Sequence, residues 1–339
     1  MSEKAVVVKM KAVLVTKDNH LNWTDVPDPV LKDGEVLVRV HCAAINRADL
    51  MQREGTYPPP PGCPEWMGLE ISGVVEKMSD EAKNKSSWKE GDKVCALLGG
   101  GGYAEYVAVR YDMLMPVPEG CSMEEAAAIP EAFATAYLNL FYEGRLQPGE
   151  TFLMHAGASG LASVVIPMAK AFGARVITTV LNAEIAKKIG HLNADVVVDT
   201  SVTPIEEVLK AEQDAGHPVD LAIDCLGGEM MGRSLHFLKY GARWIMIATL
   251  AGDMTNVDLR NVYVRNIRII GSTLRSKTPE RKADILASMV RDIWPKITEG
   301  KIRPTIYKVL PITEAEAGHD LLYAGKNVGK VVLRVKADD

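Results

Sequence analysis

The sequence predicts an α/β protein of two domains, one rich in β-strands and one built on a doubly wound parallel sheet. The first third of the chain contains short valine-rich runs divided by Gly, Pro and Asp, which is typical of strands. Later apolar runs of strand length alternate with helical stretches, which favours a parallel sheet with helices on both faces. A length of 339 residues suits two domains. We expect the β-rich domain over residues 1–129 and 277–339, and the parallel-sheet domain over residues 130–276.

The β-rich part begins with residues 1–15, which we interpret as a strand and not as a signal peptide, because lysines interrupt the apolar run. Further strands are predicted in the runs GEVLVRVHCAAI, GVVEKM and KVCALL. Residues 57–64 read YPPPPGCP, and proline lacks a backbone donor and fixes φ. This stretch must therefore be a semi-rigid loop, and residues 99–102 form a second, flexible turn.

The parallel-sheet part opens with a helix that starts near Glu124 and that Pro130 interrupts. Six strands are then predicted at residues 151–155, 175–180, 195–199, 221–224, 244–249 and, as an edge strand, 267–272. A helix follows about Pro279, and residues 331–335 form a last strand that returns to the first domain. We expect ligands in the cleft between the domains, outside the carboxyl ends of the parallel strands.

Composition and charge exclude several classes of function. A net charge of -5 and a pI near 5.9 argue against a general nucleic-acid binder, whose surface should be basic. The chain has no apolar run of about 20 residues that could cross a bilayer, so no membrane span is expected. The five cysteines are widely spaced and odd in number, which favours reduced thiols and a cytoplasmic location.

A glycine turn follows the first predicted parallel strand and opens a predicted helix. Its pattern is Gly-x-x-Gly-x-Ala, from Gly157 to Ala162. Glycines let the backbone approach a pyrophosphate, whose charge the N–H groups and the dipole of a helix start would favour. Together with the flanking strands and helix, this turn predicts a dinucleotide site. Its binding residues are predicted to be Gly157, Ala158, Ser159, Gly160 and Leu161.

The segment after the second parallel strand should contact the adenosine ribose, where an acid favours NAD and a basic residue favours NADP. Here Asn182 is neutral, Glu184 comes slightly late, and Lys187 and Lys188 lie about one helical turn further on. We include Asn182 among the cofactor-binding residues. The two lysines are better explained by a solvated helix face, and the residues alone leave NAD and NADP open.

One segment resembles a known family. Asn46-Arg-Ala-Asp-Leu-Met-Gln-Arg53, followed by Gly55, Tyr57 and the prolines, is similar to the zinc-free quinone oxidoreductases of the medium-chain dehydrogenase/reductase superfamily, most of all to the tumour-suppressor-induced subgroup. Further matching stretches occur in order along nearly the whole chain: GLEISG from residue 68, ALLGGG from 96, MPVPEG from 115, AAAIPE from 126, DCLGG from 224, LRS from 274 and NVGK from 327.

The resemblance implies a GroES-like catalytic domain, a Rossmann domain that binds NADPH, and a homodimer joined along the Rossmann edge strand. It implies that Asn46 and Tyr57 line the nicotinamide end and that Thr135 lies near the carboxamide. Ser159, Gly160 and Leu161 would contact the pyrophosphate. Further residues implied to lie along the cofactor are Leu226, Ile247, Leu274 and Asn327.

The adenosine pocket departs from the family pattern. Members carry a Lys after the second strand and a Tyr near the end of the next, which hold the 2′-phosphate. Here Glu184 or Ile185 takes the first place and Thr200 the second. A carboxylate would repel the phosphate. NADPH is the expected cofactor, and NADH is not excluded.

The residues at both zinc positions of the related dehydrogenases cannot bind zinc. The catalytic Cys is replaced by Asn46, and the Gly-His-Glu triplet reads Gly68-Leu69-Glu70. Zinc prefers thiolate and imidazole ligands, and no quartet of close cysteines exists. We therefore expect no metal. Without a Lewis acid the substrate must already accept hydride well, as quinones and α,β-unsaturated carbonyls do.

Each candidate side chain also has a structural interpretation. We predict catalytic roles for Asn46, Asp49 and Tyr57. Asn46 could bond the ribose or the substrate, or could only cap a turn. Tyr57 could cover the nicotinamide and donate a proton, or could only pack the loop. Asp49 could form an orienting pair or a structural ion pair with Arg47.

Three other polar residues are interpreted as structural. We expect Glu70 to be a buried acid, His155 a satisfied core histidine, and Cys225 a small packed residue and not a nucleophile.

The function that these observations favour is NAD(P)H-dependent, zinc-independent reduction of quinones by hydride transfer. A second enzyme hypothesis is reduction of 2-alkenals or enoyl thioesters on the same scaffold. A hypothesis from another class is a cofactor-binding protein without turnover, as among lens crystallins of this superfamily. The expected partners are a small quinone or activated carbonyl and a second copy of the chain; neither nucleic acid nor a membrane is expected.

Overall fold

The computed structural model describes residues 9–325 and 327–336, and these form two compact units. The first unit comprises residues 9–132, 279–298, 304–325 and 327–336 of the described chain. The second comprises residues 133–278 and 299–303. The first unit is therefore interrupted by the second and completed by the C-terminal part of the chain.

Strands of both units follow one another along the described chain. In order they are β1 (Lys9–Val15), β2 (Leu21–Pro27), β3 (Glu35–Ala44), β4 (Glu70–Met78), β5 (Lys93–Leu97), β6 (Tyr106–Arg110), β7 (Leu114–Pro116), β8 (Thr151–Met154), β9 (Arg175–Val180), β10 (Val196–Asp199), β11 (Val219–Asp224), β12 (Leu238–Met246), β13 (Arg268–Gly271), β14 (Ile306–Pro311) and β15 (Lys330–Arg334). The predicted strand at residues 1–15 is thus seen from Lys9 onward, and residues 1–8 lie outside the described residues.

Helices of the described chain cover both sheets. In order they are α1 (Arg47–Arg53), α2 (Asp80–Lys85), α3 (Met123–Ala127), α4 (Pro130–Tyr137), α5 (Ala162–Ala171), α6 (Ala183–Lys188), α7 (Ile205–Asp214), α8 (Gly228–Ser234), α9 (Leu259–Val264), α10 (Pro279–Thr298) and α11 (Ala315–Tyr323). A π-helical turn, Leu138–Glu143, continues α4. Pro130 separates α3 from α4 as predicted, since proline fits the first turn of a helix and not its interior.

The sheet of the second unit is parallel throughout, in the order β10-β9-β8-β11-β12-β13. This is the order of a doubly wound dinucleotide-binding sheet, and the direction of winding reverses between β8 and β11. Every residue of β8 and β11 is buried, because helices cover both faces. The predicted doubly wound sheet is confirmed.

The first unit contains a β1–β2 hairpin and a larger sheet in the order β14-β15-β3-β4-β5-β7, with β6 also paired to β3. All pairs of the larger sheet are antiparallel except β14 with β15. Strand β3 lies in the middle, and its last residues, Cys42 to Ala44, are fully buried. The chain leaves the sheet there and enters α1, which places Asn46 directly beyond a rigid, buried strand.

Helix α10 shows why the C-terminal part is helical. Its buried apolar residues recur every fourth position, which puts them on one face. They are Ile285, Met289, Ile293 and Ile297, and Leu286 is buried beside the first of them. Pro279 stands in the first turn, where its missing N–H has no intrahelical partner to lose. The helix predicted after about Pro279 is confirmed.

Some predicted elements need correction. The strand expected at residues 244–249 is β12, which begins at Leu238 and ends at Met246. The sequence pattern also missed β2, β6 and β14, which carry many polar or half-exposed residues. The expected edge strand is confirmed as β13, which pairs within its sheet with β12 alone among the described strands.

Candidate functional site

Most of the residues predicted to bind a dinucleotide gather at the carboxyl edge of the six-stranded sheet. Strand by strand they are residues 157–161 after β8, Asn182 after β9, Leu226 after β11, Ile247 after β12 and Leu274 after β13. Ligands of doubly wound sheets bind outside this edge, at the point where the winding reverses. The structure therefore brings together residues that are more than 100 positions apart in the chain.

The turn after β8 requires glycine at residue 157. A Cβ on Gly157 would lie 2.5 Å from Thr178 Oγ1 on β9, closer than any real contact. The N–H of Gly157 donates to the Thr179 carbonyl at 2.8 Å, which holds the turn against β9. Ala156 adopts a left-handed φ of 55°, so the chain turns sharply as it leaves the strand.

Three N–H groups at this turn are available to an anion. Among the described residues, no acceptor pairs with the N–H groups of Ala158, Gly160 or Leu161. They stand at the start of α5, a ten-residue helix whose dipole favours negative charge at this end. The Ser159 hydroxyl is engaged by the N–H of Ala162 at 3.1 Å. A pyrophosphate fits this turn through its backbone donors.

The turn after β11 is held by a buried carboxylate. Asp224 accepts hydrogen bonds from the N–H of Leu226 at 2.8 Å and of Gly227 at 3.0 Å, and from Trp244 Nε1 at 3.1 Å. Gly227 has a φ of 63°, and a Cβ there would lie 2.8 Å from the Gly252 carbonyl oxygen. These contacts fix the backbone of the half-buried Leu226 at the sheet edge.

His155 and Cys225, which flank these turns, are packed and not reactive. His155 is fully buried, its Nδ1 lies 3.2 Å from Thr179 Oγ1, and desolvation lowers its pKa. Burial likewise raises the pKa of the Cys225 thiol to about 12. Burial therefore supports a packed role for both residues. His155 Nε2, however, has no hydrogen-bond partner among the described residues, so the expectation of a fully satisfied histidine is wrong.

The residues expected near the adenosine ribose carry little net charge that would repel a 2′-phosphate. Asn182 caps α6, because its Oδ1 accepts the Ile185 N–H at 3.0 Å. Glu184 forms an ion pair with Lys188 at 2.7 Å, and this hydrogen bond lowers the pKa of the Glu184 carboxyl. The Thr200 hydroxyl donates to the Val180 carbonyl at 2.9 Å. The negative charge of Glu184, which was expected to repel a 2′-phosphate, is therefore balanced by Lys188 on the same helix.

A cavity of about 310 Å³ opens beyond β12 and β13. Its lining residues are Met246, Ile247, Ala248, Thr249, Gly271, Ser272, Thr273, Ser276 and Lys277. Ser272 is buried, and its hydroxyl has no hydrogen-bond partner among the described residues. Of the predicted cofactor residues, Ile247 belongs to this lining. Leu274 does not, but it is buried and directly follows the lining residue Thr273 in the chain.

In the first unit, the carboxamide of Asn46 is tied on both sides. Its Nδ2 donates to Glu70 Oε1 at 3.0 Å and to the Ala44 carbonyl at 3.3 Å. Its Oδ1 accepts from Lys330 Nζ at 2.6 Å. Asn46 is also the N-cap of α1 and forms a capping box with Asp49, so the turn-cap alternative is confirmed as well.

Glu70 and Lys330 form a buried ion pair beside Asn46. Their side chains are 0% and 5% exposed, and Lys330 Nζ lies 2.6 Å from Glu70 Oε1. The other oxygen of Glu70 accepts the N–H of Glu131 at 2.8 Å, at the start of α4. Glu70 is thus a buried structural acid, as predicted. Its pairing with Lys330 was missed, because residues 70 and 330 carry no common local pattern.

Asp49 is a buried backbone acceptor. Its oxygens accept the N–H of Asn46 at 2.8 Å and of Gly68 at 3.0 Å. Desolvation raises its pKa to about 6. The expected pair with Arg47 is wrong: the Arg47 guanidinium lies over the Tyr323 ring, 5.7 Å from its centre. Asp49 therefore fixes the turn that carries Asn46.

The remaining predicted site residues make local contacts of their own. Tyr57 is half-buried in the proline loop, and its N–H donates to the Met51 carbonyl at 3.2 Å. Thr135 is on α4, and its carbonyl accepts Asn139 Nδ2 at 2.8 Å. Asn327 donates from Nδ2 to the Gly329 carbonyl at 2.8 Å, which orders the turn before β15.

Metal-binding and membrane-spanning features are not found in the described chain. Within residues 9–325 and 327–336, His, Cys, Asp and Glu side chains nowhere gather in groups of three that could hold a metal ion. Over the same part of the chain, each helix is too short or too polar to cross a bilayer.

Two family comparisons divide the chain as its two sheets do. Residues 32–119 match the alcohol dehydrogenase GroES-like domain, and residues 160–291 match the zinc-binding dehydrogenase family. The second name describes that family and not a metal in this chain. The GroES-like domain therefore comes first along the chain, and the match to the dehydrogenase family follows it.

Whole-chain comparisons find similar proteins. The chain is 27% identical to the quinone oxidoreductase of Mus musculus over 314 residues, which cover 91% of this chain and 92% of the mouse protein. The solved quinone oxidoreductase of Thermus thermophilus, studied also as its complex with NADPH, is 31% identical, with a TM-score of 0.80 and coverage of 96% and 100%. A mycobacterial protein solved with NADPH is 26% identical, with a TM-score of 0.84 and coverage of 96% and 99%.

Proposed function

Because the chain belongs to the quinone oxidoreductase family of the medium-chain dehydrogenase/reductase superfamily, we propose that it reduces quinones by hydride transfer from NADPH without zinc. The fold is a GroES-like domain together with a Rossmann-like parallel sheet. The main support for the proposal is the turn at residues 157–161. There, three backbone N–H groups have no acceptor among the described residues, and they lie where the winding of the sheet reverses, as an anion site requires.

The cofactor is NADPH, the one bound in two of the similar structures. When bound, its nicotinamide supplies the hydride. In the proposed mode, the N–H groups of Ala158, Gly160 and Leu161 bind the pyrophosphate, and Asn182 and Lys187 lie toward the adenosine. Leu226, Ile247 and Leu274 flank the rest of the dinucleotide. The pairing of Glu184 with Lys188 supports a tolerated 2′-phosphate.

The acceptor is proposed from the residues at the former zinc position. Asn46 and Leu69 offer no thiolate or imidazole, so they cannot hold a Lewis acid that would polarise an unactivated carbonyl. A quinone needs no such help, because its reduction restores aromaticity. The chain's contribution is then to orient the acceptor, exclude water and hold a proton at a nearby donor. Tyr57 is the proposed donor, with water as the alternative.

Asn46 is the proposed contact to the reacting pair, and Asp49 is a positioning residue. Asp49 accepts the backbone N–H of Asn46 and of Gly68 from a fully buried site. Its role is therefore to fix the path of the chain beneath Asn46. Contacts of Thr135, Tyr57 and Asn327 with the cofactor are proposed from the family resemblance alone.

A homodimer is proposed along β13. This strand is one of the two edges of the six-stranded sheet, and Ile269 on it is 41% exposed. Neighbouring segments expose Tyr240, Tyr263 and Val264, which are large apolar or aromatic side chains. Replacing Ile269 by Lys should shift the sedimentation coefficient from dimer to monomer, whereas Val202→Lys, at an exposed site away from this edge, should not.

The proposed reaction is tested by oxidation of NADPH, and of NADH, with 1,2-naphthoquinone. We expect turnover with NADPH at a higher kcat/KM than with NADH. Turnover of 2-alkenals but not of quinones would instead select the alkenal or enoyl reductase. Tight NADPH binding without any turnover would overturn the enzyme and leave a cofactor-binding protein.

A further inference from the structure

Ala156 has a backbone conformation that its own side chain does not explain. Its φ is 55°, in the left-handed region, where a Cβ crowds the backbone. Among the described residues, the other non-glycine residues with such a φ are three asparagines and Arg145. Asparagine tolerates this region because its side chain bonds locally, whereas alanine has no polar atom that could do so. Contacts from elsewhere in the fold must therefore hold Ala156.

Thr179, on the neighbouring strand β9, binds two successive N–H groups of the turn. Its Oγ1 accepts the N–H of Ala156 at 3.3 Å, and its carbonyl accepts the N–H of Gly157 at 2.8 Å. Thr179 is 3% exposed, so water competes little for these bonds. These two N–H groups belong to the peptide units on either side of the Ala156 Cα. The side chain and main chain of one residue thus fix both peptide units.

The Thr179 hydroxyl is itself oriented by His155. Its Oγ1 lies 3.2 Å from His155 Nδ1, and both residues are buried. Desolvation lowers the pKa of His155, so the imidazole is neutral and one of its ring nitrogens is an acceptor. We assign the hydroxyl hydrogen to Nδ1, because the N–H of Ala156 already uses a lone pair of Oγ1. The hydroxyl is thereby kept turned toward Ala156.

The hold on Ala156 decides which N–H groups of the turn stay unpaired. Four N–H groups between residues 156 and 162 have acceptors, which are Thr179 Oγ1 for residue 156, the Thr179 carbonyl for 157, the Ala156 carbonyl for 159 and Ser159 Oγ for 162. Residues 158, 160 and 161 are left, without an acceptor in the described part of the chain. If Ala156 left the left-handed region, its carbonyl would turn away from Ser159 and the set of free donors would change.

We propose that Thr179 is a positioning residue of the dinucleotide site, which keeps Ala156 left-handed so that the free N–H groups of the turn face the pyrophosphate of NADPH. The inference rests on the proposed function for the identity of this anion. A strained backbone that its surroundings hold in place suits a ligand site, because the ligand then meets donors that need no reordering. Thr179 acts through Ala156 and Gly157 and does not itself contact the cofactor.

A double-mutant cycle between Thr179 and Ala156 tests the proposal. Thr179→Val removes the hydroxyl at nearly constant shape, and Ala156→Gly removes the strain, because glycine adopts a positive φ freely. The Kd for NADPH is measured by quenching of protein fluorescence. Thr179→Val should weaken NADPH about tenfold in the wild-type background and less than about twofold in the Ala156→Gly background. Thr179→Ser, which keeps the hydroxyl, should stay within about twofold of wild type.

Steady-state kinetics separate positioning from a direct part in hydride transfer. With 1,2-naphthoquinone as acceptor, Thr179→Val should raise the KM for NADPH about tenfold and leave kcat within about twofold, because the reacting groups are untouched. An unchanged Kd for NADPH in Thr179→Val would overturn the proposal, and so would equal factors in the two backgrounds.

Controls separate positioning from general damage. Ser234 is fully buried in α8 and donates to the Met230 carbonyl at 2.7 Å, so Ser234→Ala should lower stability and leave the Kd for NADPH unchanged. If Thr179→Val does not fold, Thr179→Ala and Thr179→Ser, which differ from each other only by the hydroxyl, replace it in the cycle. Wild-type protein that binds NADPH but reduces no quinone would refute the proposed reaction, while coupling between the two positions would still support the positioning role.

Discussion

The turn after β8 and the Asn46 cluster are both proposed to contact the same cofactor, but they are built from different parts of the chain. The turn presents backbone N–H groups and excludes side chains, as the contact that a Cβ on Gly157 would make with Thr178 shows. The Asn46 cluster presents a side chain, held by the buried charges of Glu70 and Lys330. A backbone site depends on one or two small residues, whereas a charge-built site fails when either partner is lost.

The largest difference should appear on removing Lys330. Lys330→Met leaves the carboxylate of Glu70 buried without its cation, so we expect the free energy of unfolding to fall by about 3–5 kcal/mol. Urea denaturation measures this change. Arg243→Met is the matched control: its partner Glu150 is 16% exposed and can be hydrated, so a loss of about 1–2 kcal/mol is expected. Equal losses would contradict the special desolvation of the Asn46 cluster.

A smaller effect is expected at the backbone site. Gly157→Ala forces a Cβ against Thr178 Oγ1, and overpacking of this kind costs about 1–3 kcal/mol of stability. NADPH binding should weaken at least about tenfold, because the turn must shift away from β9. Gly190→Ala is the control, since a Cβ there meets nothing within 4 Å. Unchanged NADPH affinity in Gly157→Ala would count against this turn as the pyrophosphate site.

These two sites also differ in how far the sequence could reveal them. The glycine turn is local, so its spacing after an apolar strand was enough to predict it. Glu70 and Lys330 are 260 positions apart in the chain, and β3 brings them together because it pairs with both β15 and β4. The predicted Arg47–Asp49 pair failed because residues two apart on a helix do not face each other. Strands β2 and β14 escaped because their half-exposed residues break the apolar alternation.

Acidification should change the free energy of unfolding through two buried groups of the first unit, Asp49 and His319, in opposite directions. Burial raises the pKa of Asp49 from 3.8 to about 6, so the stability from its protonated form is lost as pH rises through about 6. Burial lowers the pKa of His319 from 6.5 to about 3, so its contribution is lost as pH falls from 6.5 toward 3. The Tyr103 hydroxyl lies 3.3 Å from His319 Nε2, and burial together with the Asp49 carboxylate raises the pKa of Tyr103.

Between pH 6 and 4 these two contributions cancel, and His319→Phe should uncover that of Asp49. Relative to wild type, the variant should then gain about 1.4 kcal/mol of unfolding free energy for each pH unit of acidification in that window. Chemical denaturation at a series of pH values measures the slope. His217→Gln, at an exposed position, should keep the wild-type slope. The same slope in His319→Phe and wild type would refute the assignment.

The smallest effect should come from the adenosine end, where the groups are exposed. Glu184→Gln removes a negative charge from α6, so the Kd for 2′,5′-ADP should fall by about twofold, and less at high salt. The ratio of kcat/KM for NADPH over NADH should rise to the same extent. Lys210→Gln, which breaks a similar exposed pair with Asp214, should change neither. A weaker 2′,5′-ADP affinity in Glu184→Gln would place the 2′-phosphate elsewhere.

The central claim is that this chain transfers hydride from NADPH to a quinone without zinc. Its most direct test is the steady-state rate of NADPH oxidation with 1,2-naphthoquinone, measured before and after exhaustive dialysis against a zinc chelator. The account predicts turnover that is the same in both samples. Turnover that disappears with the chelator and returns with added zinc would contradict it, as would NADPH binding without any turnover.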